Sequence, residues 1–355
     1  MDIEKIIEKY GLNVDNTVQL HFKGLKRSTR IFKISKPALG ENTYIVDTLA
    51  GKDIACHPYI VGKELDRLAL SAAIEAAKTI RHVVLTREAR STKSIVFEHV
   101  LRAAPGYKLL PALKATLPGS RISEAFIRPK YIQKSYRDHA TQELKTVYKD
   151  FSGIPHGKRI ILFKPDTEAT GASGKLALEE AIKESELKGS TITDVVLYGF
   201  MAIPGLRLLK DVADRHGINM YAFAISNISE LAYNNYDMTL YGTDESYFSK
   251  YGEVRNLGSI VDRKTLKRYL PEFIPGCDQP GDWSSRQERL FTGRRYESGG
   301  TKEHLIRSMA LIERLRKIPG YEKWQDALAQ EELTKLRLTL SKYSLPDDDA
   351  TAVSV

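Results

Sequence analysis

Residues 160–173 read IILFKPDTEATGAS, an apolar run that passes into a turn of small and hydroxyl-bearing residues. The apolar residues Ile160 to Phe163 predict a central strand, and the stretch from Gly174 to Ser185 predicts a helix. Small residues allow backbone N–H groups to converge on a phosphate, and a helix N-terminus adds partial positive charge. The segment therefore favours an anion-binding turn. A tight connection with Thr170 or Ser173 as the helix N-cap is the alternative.

Two carboxylates, Asp166 and Glu168, stand directly before the small residues of this turn. A carboxylate in this position can accept hydrogen bonds from the hydroxyl groups of a ribose. The acid and the turn together suit a ribose 5-phosphate, in which the turn would hold the phosphate.

Apolar strands alternate with helical stretches on both sides of this segment. Strands are predicted at residues 95–101, 122–127, 158–163, 193–200 and 220–225, and helices at residues 65–80, 107–117, 174–185 and 204–216. This alternation indicates right-handed crossovers between parallel strands. The predicted fold class is α/β, a mainly parallel sheet with helices on both faces, and functional residues belong at the carboxyl ends of its strands.

Both ends of the chain differ from this pattern. Residues 17–46 alternate and hold β-branched and aromatic residues, which predicts strands. Two charged amphipathic helices, at 301–317 and 321–342, are separated by Ile318-Pro319-Gly320, and the tail from Asp347 is predicted to be disordered. The predicted division is a strand-rich N-terminal extension at 1–54, an α/β domain at 55–299 and a C-terminal helical extension at 300–355.

Composition and charge limit which class of protein this is and which kind of ligand it can bind. A hydrophobic fraction of 42% and a charged fraction of 28% are ordinary for a globular protein. The net charge of +9 suits an anionic ligand, although it could serve solubility alone. No apolar run reaches the roughly 20 residues that span a bilayer. Because the two cysteines, Cys56 and Cys277, make no disulfide framework, we expect a cytoplasmic protein.

The turn resembles a known family signature. Residues 165–173, PDTEATGAS, resemble the 5-phosphoribosyl 1-pyrophosphate motif of type I phosphoribosyltransferases, and the version closest to it is D-P-M-L-A-T-G-G-S of uracil phosphoribosyltransferases. Two positions differ, because Ala172 replaces the second glycine and the acid has moved by one place to Asp166.

Further segments resemble the same family in the same order, over residues 55–292. HPYI at 57–60 resembles H-P-L-I, VLRAAPGY at 100–107 resembles I-L-R-A-G-L-G-M, and AIPGL at 202–206 resembles A-A-P-E-G. Asp244-Glu245 and Tyr251-Gly252 resemble the D-E-R and H-G stretch, and FIPGCDQPGD at 273–282 resembles Y-I-V-P-G-L-G-D-A-G-D.

The resemblance implies transfer of 5-phosphoribose from phosphoribosyl pyrophosphate to a nitrogen-bearing, nucleobase-like acceptor, with release of pyrophosphate. It implies Mg²⁺ as cofactor. A homodimer is the default expectation, because two-fold dimers are the commonest oligomers. It assigns catalytic roles to Arg102, which faces pyrophosphate, to Asp166, which holds the ribose hydroxyls, and to Asp282, which acts on magnesium through water. The substrate-binding residues that it implies are Ala103, Ala104, Glu168, Ala169, Thr170, Gly171, Ala172, Ser173, Ile274, Pro275, Gly276 and Asp278.

Departures from the family pattern concentrate in the acceptor segment. Asp278 stands where the family has glycine, Gln279 replaces the aspartate that orders metal-bound waters, and Trp283 replaces the final arginine, with Arg286 close behind. A carboxylate at 278 favours a donor-rich acceptor, such as an amine or amidine, over uracil. About twenty extra residues also separate Gly252 from Ile274.

Several alternatives stay open at this point. A non-catalytic regulator that senses phosphoribosyl pyrophosphate and binds nucleic acid would explain Gln279 and the basic stretch at 23–36, which holds Lys23, Lys26, Arg27, Arg30, Lys33 and Lys36. A solvated strand face explains the same charges. The polar stretch with Arg128, Lys130, Lys134 and Arg137 could form a mobile lid or a solvated loop, and His99 is expected to be a core residue.

Overall fold

The computed structural model describes residues 2–132 and 143–343. Within this part of the chain, ten strands form one sheet. They are β1 (Thr17–Leu20), β2 (Arg30–Ile34), β3 (Asn42–Asp47), β4 (Ser94–Val100), β5 (Ile122–Tyr131), β6 (Leu144–Asp150), β7 (Arg159–Pro165), β8 (Thr191–Ala202), β9 (Asn219–Leu231) and β10 (Met238–Thr239). Two short antiparallel pairs lie outside it: β11 (Tyr241–Thr243) with β12 (Asn256–Gly258), and β13 (Arg289–Phe291) with β14 (Tyr296–Ser298).

The sheet has a parallel centre and antiparallel edges. The order along its main path is β1-β2-β3-β9-β8-β7-β4-β5-β6, and every pairing from β3 to β5 is parallel. The pairs β1–β2, β2–β3 and β5–β6 are antiparallel. The predicted apolar run lies in β7, whose residues 160–165 are all buried, as expected of a strand covered on both faces.

Helices cover both faces of this sheet. They are α1 (Ile3–Tyr10), α2 (Leu49–Cys56), α3 (Gly62–Val83), α4 (Arg87–Thr92), α5 (Leu109–Thr116), α6 (Ala172–Leu187), α7 (Ile203–Arg215), α8 (Glu245–Tyr251), α9 (Arg263–Tyr269), α10 (Thr301–Leu315) and α11 (Lys323–Lys342). Ile160 and Leu162 of β7 belong to one hydrophobic cluster with α6 and α7. Ile161 and Phe163 belong to the other, with α3 and α5, because successive strand residues point to opposite faces. The predicted α/β class is confirmed.

Both chain ends join this architecture. Strand β3, within the N-terminal part, pairs in parallel with β9, so residues 42–46 belong to the main sheet. Leu305 and Ile312 of α10 and Leu333 of α11 are buried in the cluster that holds Ile6 of α1. The C-terminal helical extension is therefore present and packed, while the division of the chain at 54 and 299 stays a prediction.

One edge of the sheet differs from the sequence-based expectation. Strand β5 extends to Tyr131, so Arg128 and Lys130 lie in a strand that pairs with β6, rather than in a loop. Lys134 and Arg137 lie outside the described residues. Among the described helices, none is long and apolar enough to cross a membrane.

Candidate functional site

The turn between β7 and α6 is fixed by close backbone approaches. Gly171 has φ +79°, and a Cβ there would stand 2.9 Å from the Gly205 carbonyl oxygen in α7. The Glu168 backbone pairs with the end of β8, with its N–H donating to Phe200 (3.0 Å) and its carbonyl accepting from Ala202 (2.9 Å). Gly171 is itself the N-cap of α6, so the Ser173 N-cap alternative is wrong. The Thr170 hydroxyl does accept from the Ala172 N–H at 3.3 Å.

Most of the predicted site residues lie around one cavity of about 150 Å³ at the carboxyl end of the sheet. The predicted residues that line it are Ala103, Asp166, Glu168, Ala169, Thr170, Gly171, Ala172, Ser173 and Asp282. An adjacent cavity of about 400 Å³ shares Asp166, Ser173 and Asp282 with it and adds Arg102. We call the two together the donor cavity. The parallel sheet explains the convergence, because the loops after β4 and β7 emerge at the same edge.

Asp166 carries the strongest electrostatic perturbation within the donor cavity. Its side chain is almost fully buried and accepts a hydrogen bond from the Thr167 N–H at 2.8 Å. Burial raises the pKa of Asp166 to about 7, and the negative charge of Glu168 adds to the rise, although Lys164 opposes it. The carboxyl group is therefore poised to change its charge near neutral pH.

Glu168 contributes to the cavity in a different way from Asp166. Its carboxylate forms a buried ion pair with Lys164, and both side chains are at most 1% exposed. The same carboxylate fills the space beside Gly174, where a Cβ would collide with it. Glu168 therefore lines the donor cavity, but its negative charge is paired with Lys164 inside the protein.

The loop that follows β4 brings Arg102 and Ala103 to the donor cavity. The Leu101–Arg102 peptide is cis. The Arg102 guanidinium pairs with Glu297 of β14 at 3.1 Å, and both side chains keep about a third of their surface exposed. Ala104 is buried, begins a short 3-10 helix at Ala104–Tyr107 and lines neither part of the donor cavity, so the structure does not bring this predicted residue to the site.

The predicted acceptor residues separate into two groups. Asp278 lines a small cavity of about 40 Å³ that shares Tyr236, Gly281 and Asp282 with the donor cavity. The Asp278 carboxylate accepts from the Met238 N–H at 2.8 Å. Helix α10 completes the wall of this cavity with His304, Arg307, Ser308 and Leu311.

Ile274, Pro275 and Gly276 lie elsewhere. Ile274 is buried in the hydrophobic core, and Pro275 lines a separate small cavity against Leu315. The Gly276 N–H donates to the Tyr241 carbonyl at 2.8 Å, which fixes this backbone against β11. The structure therefore does not bring these three residues to the donor cavity.

Asp282 and Asp166 are the two predicted carboxylates that line both parts of the donor cavity. Asp282 accepts from the Ser285 hydroxyl and lies 3.7 Å from Arg307. In the described residues, no group of three or more His, Cys, Asp or Glu side chains is placed to hold a metal ion. Mg²⁺ commonly uses one or two carboxylates together with substrate phosphates and water. A single carboxylate such as Asp282 therefore fits a magnesium ion that arrives with a phosphate ligand and keeps its waters.

Two aromatic residues of the donor cavity were missed as site residues from the sequence, Tyr131 and Tyr236. Trp283, noted only as a departure from the family, also lines it and stacks on Tyr107, with ring centroids 4.4 Å apart and planes 17° apart. The Tyr107 hydroxyl lies 2.5 Å from the Thr167 hydroxyl. The sequence did carry a signal for Trp283, which stands where the family has an arginine. An aromatic residue at that position indicates an apolar cavity wall instead of a cationic ligand contact.

The Arg286 side chain lies inside the protein, where it stabilises the backbone of two loops. Its guanidinium is completely buried and donates to five backbone carbonyls, those of Ile54, His57, Ile60, Gln279 and Pro280. Burial lowers the pKa of Arg286 to about 10. This arginine therefore holds the loop after α2 against the loop at 279–280, and it does not replace the family's arginine at the ligand.

The basic stretch at 23–36 is partly neutralised. Arg30 pairs with Asp47 at 2.6 Å, and Arg268 reaches the same carboxylate at 3.2 Å. The Lys26 ammonium donates to the Ser71 hydroxyl at 3.2 Å. A continuous phosphate-binding strip of the kind expected for nucleic acid is therefore interrupted in this part of the sheet.

Comparison with known proteins gives structural similarity only. No family model matches the chain, and no curated protein matches it. Adenine phosphoribosyltransferase from Trypanosoma brucei matches with a TM-score of 0.33 and 13% identity, over 55% of this chain and 87% of that one. The enzyme of the same name from Leishmania tarentolae matches with a TM-score of 0.28 and 16% identity, over 44% and 70%. A hypoxanthine phosphoribosyltransferase from Staphylococcus aureus matches with a TM-score of 0.25 and 11% identity, over 47% and 77%.

Proposed function

We propose that this protein transfers 5-phosphoribose from phosphoribosyl pyrophosphate to a nitrogen-bearing, nucleobase-like acceptor and releases pyrophosphate. The observation that carries the proposal is the placement of Asp166, the turn at 169–173 and the loop of Arg102 around one cavity. Each of these groups matches one part of the donor: ribose, 5-phosphate and pyrophosphate.

The turn would bind the 5-phosphate. The backbone N–H groups of residues 170–173 lie at the start of α6, where the first N–H groups of a helix lack partners within the helix. These donors and the helix dipole favour a dianion at that position. The hydroxyls of Thr170 and Ser173 would add further donors, which a phosphate needs for its three terminal oxygens.

Asp166 would bind the ribose hydroxyls in its ionised form. A carboxylate only accepts hydrogen bonds, and a pair of vicinal hydroxyls offers two donors to it. Bound this way, the sugar lies between the turn and the Arg102 loop, with its C1 atom toward the pyrophosphate side of the cavity.

Arg102 would neutralise the pyrophosphate, together with the backbone of Ala103. Its present partner, Glu297, would then be exchanged for a pyrophosphate oxygen. Magnesium held through water by Asp282 would supply additional charge neutralisation to the phosphate oxygens. Arg128 and Lys130 also line this part of the cavity and raise its positive potential.

The chemistry requires positioning rather than covalent participation by the protein. The bond between C1 and the pyrophosphate oxygen lengthens first, and positive charge develops on the ribose ring. The acceptor nitrogen then attacks C1, the bonding pair leaves with pyrophosphate, and the acceptor loses one proton. Fixed groups that stabilise the separated charges lower the barrier to this step.

The acceptor would lie in the donor cavity beside Asp282, with an N–H group directed toward Asp278 in the adjoining small cavity, which we call the acceptor cavity. Three carboxylates, Asp237, Asp278 and Asp282, line this cavity, and Arg307 is its cationic wall. Burial lowers the pKa of His304 to about 3, so this histidine is neutral at physiological pH. An acidic lining favours an acceptor that presents N–H donors, such as an amino-substituted heterocycle.

The direct test is to mix the protein with magnesium, phosphoribosyl pyrophosphate and a panel of amino-substituted bases, with uracil included, and to measure pyrophosphate release. Asp166→Asn is expected to lower the rate at least about a hundredfold. Asp194→Asn is the matched control, since Asp194 is a buried carboxylate at the amino end of β8, paired with Lys93 at 2.5 Å. Failure of the wild-type protein to bind phosphoribosyl pyrophosphate would overturn the proposal.

One observation supports a second candidate, a non-catalytic sensor of phosphoribosyl pyrophosphate that binds nucleic acid. The Gln279 side chain is 1% exposed and accepts from the Ser229 hydroxyl at 3.1 Å, so it points into the protein rather than toward a metal. This candidate requires donor binding without pyrophosphate release for any acceptor, and nucleic-acid affinity that falls steeply with salt. Light scattering on the same samples tests the predicted homodimer.

A further inference from the structure

A second cavity, of about 470 Å³, lies beside the loop of Arg102 and shares no lining residue with the donor cavity. Strands β4 and β5, the loop at 105–108 and the β13–β14 hairpin form its walls. Its volume lies within the roughly 300–1,000 Å³ that small-molecule sites occupy in proteins. We call it the hairpin cavity.

Aromatic rings dominate one side of the hairpin cavity. Phe126 and Phe291 lie with their ring centroids 6.0 Å apart, and Phe291 and Tyr296 lie 5.3 Å apart. The Arg289 guanidinium lies 4.6 Å from the centre of the Tyr296 ring. Such a wall favours a flat, aromatic ligand, which can stack on the rings and on the guanidinium plane.

His99 lines the same cavity and orients a carboxylate in it. It stacks on Phe126 with planes 9° apart, and its Nε2 lies 3.0 Å from the Glu124 carboxylate. Burial lowers the pKa of His99, so the ring is neutral and donates its Nε2–H to Glu124. Its Nδ1 is buried away from the cavity surface and is not available to a ligand. The acceptors that a ligand N–H can reach are the carboxylates of Glu124 and Glu288, which line the cavity.

The charges around the hairpin cavity argue against a phosphate. Asp66, Glu124 and Glu288 are acidic, while Lys108 and Arg289 are the cationic members of the lining. Lys108 is already paired with Asp66 at 2.8 Å. Glu124 is likewise paired with Lys114 at 3.1 Å, so the lining has no excess positive charge for an anion, whereas an uncharged ligand with N–H groups finds carboxylate acceptors.

We propose that the hairpin cavity binds an uncharged nitrogen heterocycle, a nucleobase or its nucleoside, at a site separate from the donor and acceptor cavities. The proposal does not rest on the transfer reaction. The site is coupled to the donor cavity through Gln287, whose side-chain amide donates to the Ala103 and Trp283 carbonyls at 3.0 and 2.9 Å. Glu297 of the same hairpin holds Arg102. Occupancy of the site would therefore act on the pyrophosphate loop.

Calorimetric titration of the full chain with adenosine, guanosine and cytidine tests the proposal. At least one of these probes is expected to bind with one-to-one stoichiometry. His99→Phe preserves the stacked ring but removes the Nε2–H that holds the Glu124 carboxylate in place, and it should weaken that binding about tenfold or more. His82→Phe is the matched control, because His82 also stacks on a phenylalanine, Phe22, but lies outside the hairpin cavity and should leave the affinity unchanged.

Further variants separate the hairpin cavity from the acceptor cavity. Asp278→Asn should leave nucleoside affinity unchanged. If His99→Phe does not fold, as shown by its thermal melt, Tyr296→Ala replaces it, since Tyr296 is 61% exposed and its loss leaves the core intact. The proposal fails if no probe binds at millimolar concentration, or if Asp278→Asn abolishes binding that His99→Phe retains.

Discussion

Glu98 lies in β4 beside Lys164 of β7, completely buried, with neither carboxylate oxygen hydrogen-bonded to any described residue. Asp166 and Glu168 belong to the same group, so three carboxyl groups surround one lysine behind the proposed phosphate turn. The single cation cannot compensate three negative charges in a medium of low polarity. Protons must therefore remain on part of this cluster at neutral pH, and the site has a built-in dependence on pH.

Glu98→Gln tests this at the level of stability. Burial raises the pKa of Glu98 from 4.5 to about 8, so the folded protein binds a proton that the unfolded chain releases. Its contribution to stability is therefore present below pH 4.5 and is lost as pH rises toward 8, at up to about 1.4 kcal/mol per pH unit. The amide introduced by the substitution stays neutral, and urea unfolding from pH 5 to 8 should show a flatter profile for the variant. An unchanged slope would contradict the assignment; the exposed Glu8→Gln is the control.

Asp166 gives the functional counterpart of this prediction. Its pKa of about 7 means that the ionised, ribose-accepting form increases as pH rises from 6 to 8. Affinity for phosphoribosyl pyrophosphate should therefore increase over this interval, and Asp166→Asn should bind weakly with little dependence on pH. Calorimetry at constant magnesium concentration and ionic strength measures this affinity. Equal affinity of the wild-type protein at pH 6 and pH 8 would remove Asp166 from the proposed ribose site.

At the scale of single elements, the turn and the start of α7 are interlocked. A Cβ on Gly205 would collide with the Glu168 carbonyl oxygen, and Gly171 approaches the Gly205 backbone in return. Gly205→Ala is therefore expected to displace the turn and to lower donor affinity about tenfold or more, with only a modest loss of helix stability. Asp211→Ala is the control, because Asp211 is an exposed residue of the same helix that does not line the donor cavity. Retained affinity in Gly205→Ala would show that the turn does not hold the phosphate.

The central elements could be predicted from the sequence because their signals are local. The apolar run of β7 and the small residues before α6 carry both the strand and the turn. Strand β6 was missed, because its residues alternate between exposed and half-buried positions with lysines on the exposed side, the pattern of a protected sheet edge. Its pairing with β5 depends on contacts that no local pattern reveals.

The acceptor segment shows the limit of resemblance to a family. The motif around Pro275 and Gly276 is present, but the preceding insertion forms β12 and α9, and Leu315 of α10 occupies the space beside Gly276. Similar residues were therefore placed against the core instead of the cavity. Asp278, the unusual residue of the segment, does line a cavity beside Asp282. Its neighbours there from α10, such as Arg307, lie too far along the chain to be connected with it by sequence spacing.

At the scale of the whole molecule, the two chain ends meet. Lys9 of α1 pairs with Glu322 at 2.6 Å, and Gln325 of α11 donates to the Tyr10 hydroxyl at 3.2 Å. Two turns further along the same face of α11, Glu332 lies 3.0 Å from the His57 ring. Helix α11 is therefore connected both to the N-terminal helix and to the loop that Arg286 holds, so its removal would expose apolar surface of the main core.

This arrangement predicts a single cooperative unfolding transition for the sheet and the C-terminal helices. The chain's two tryptophans report on the two regions separately, because Trp283 lines the donor cavity and Trp324 lies in α11. Trp324→Phe leaves only the first reporter, and Trp283→Phe leaves only the second. In each variant, the tryptophan fluorescence midpoint in urea should coincide with the midpoint from far-ultraviolet circular dichroism. Because both midpoints are measured on the same variant, a change in overall stability caused by the substitution shifts them equally. A Trp324 signal that changes at lower urea than the dichroism would instead show that residues 300–355 form an independently unfolding extension, as the sequence-based division would allow.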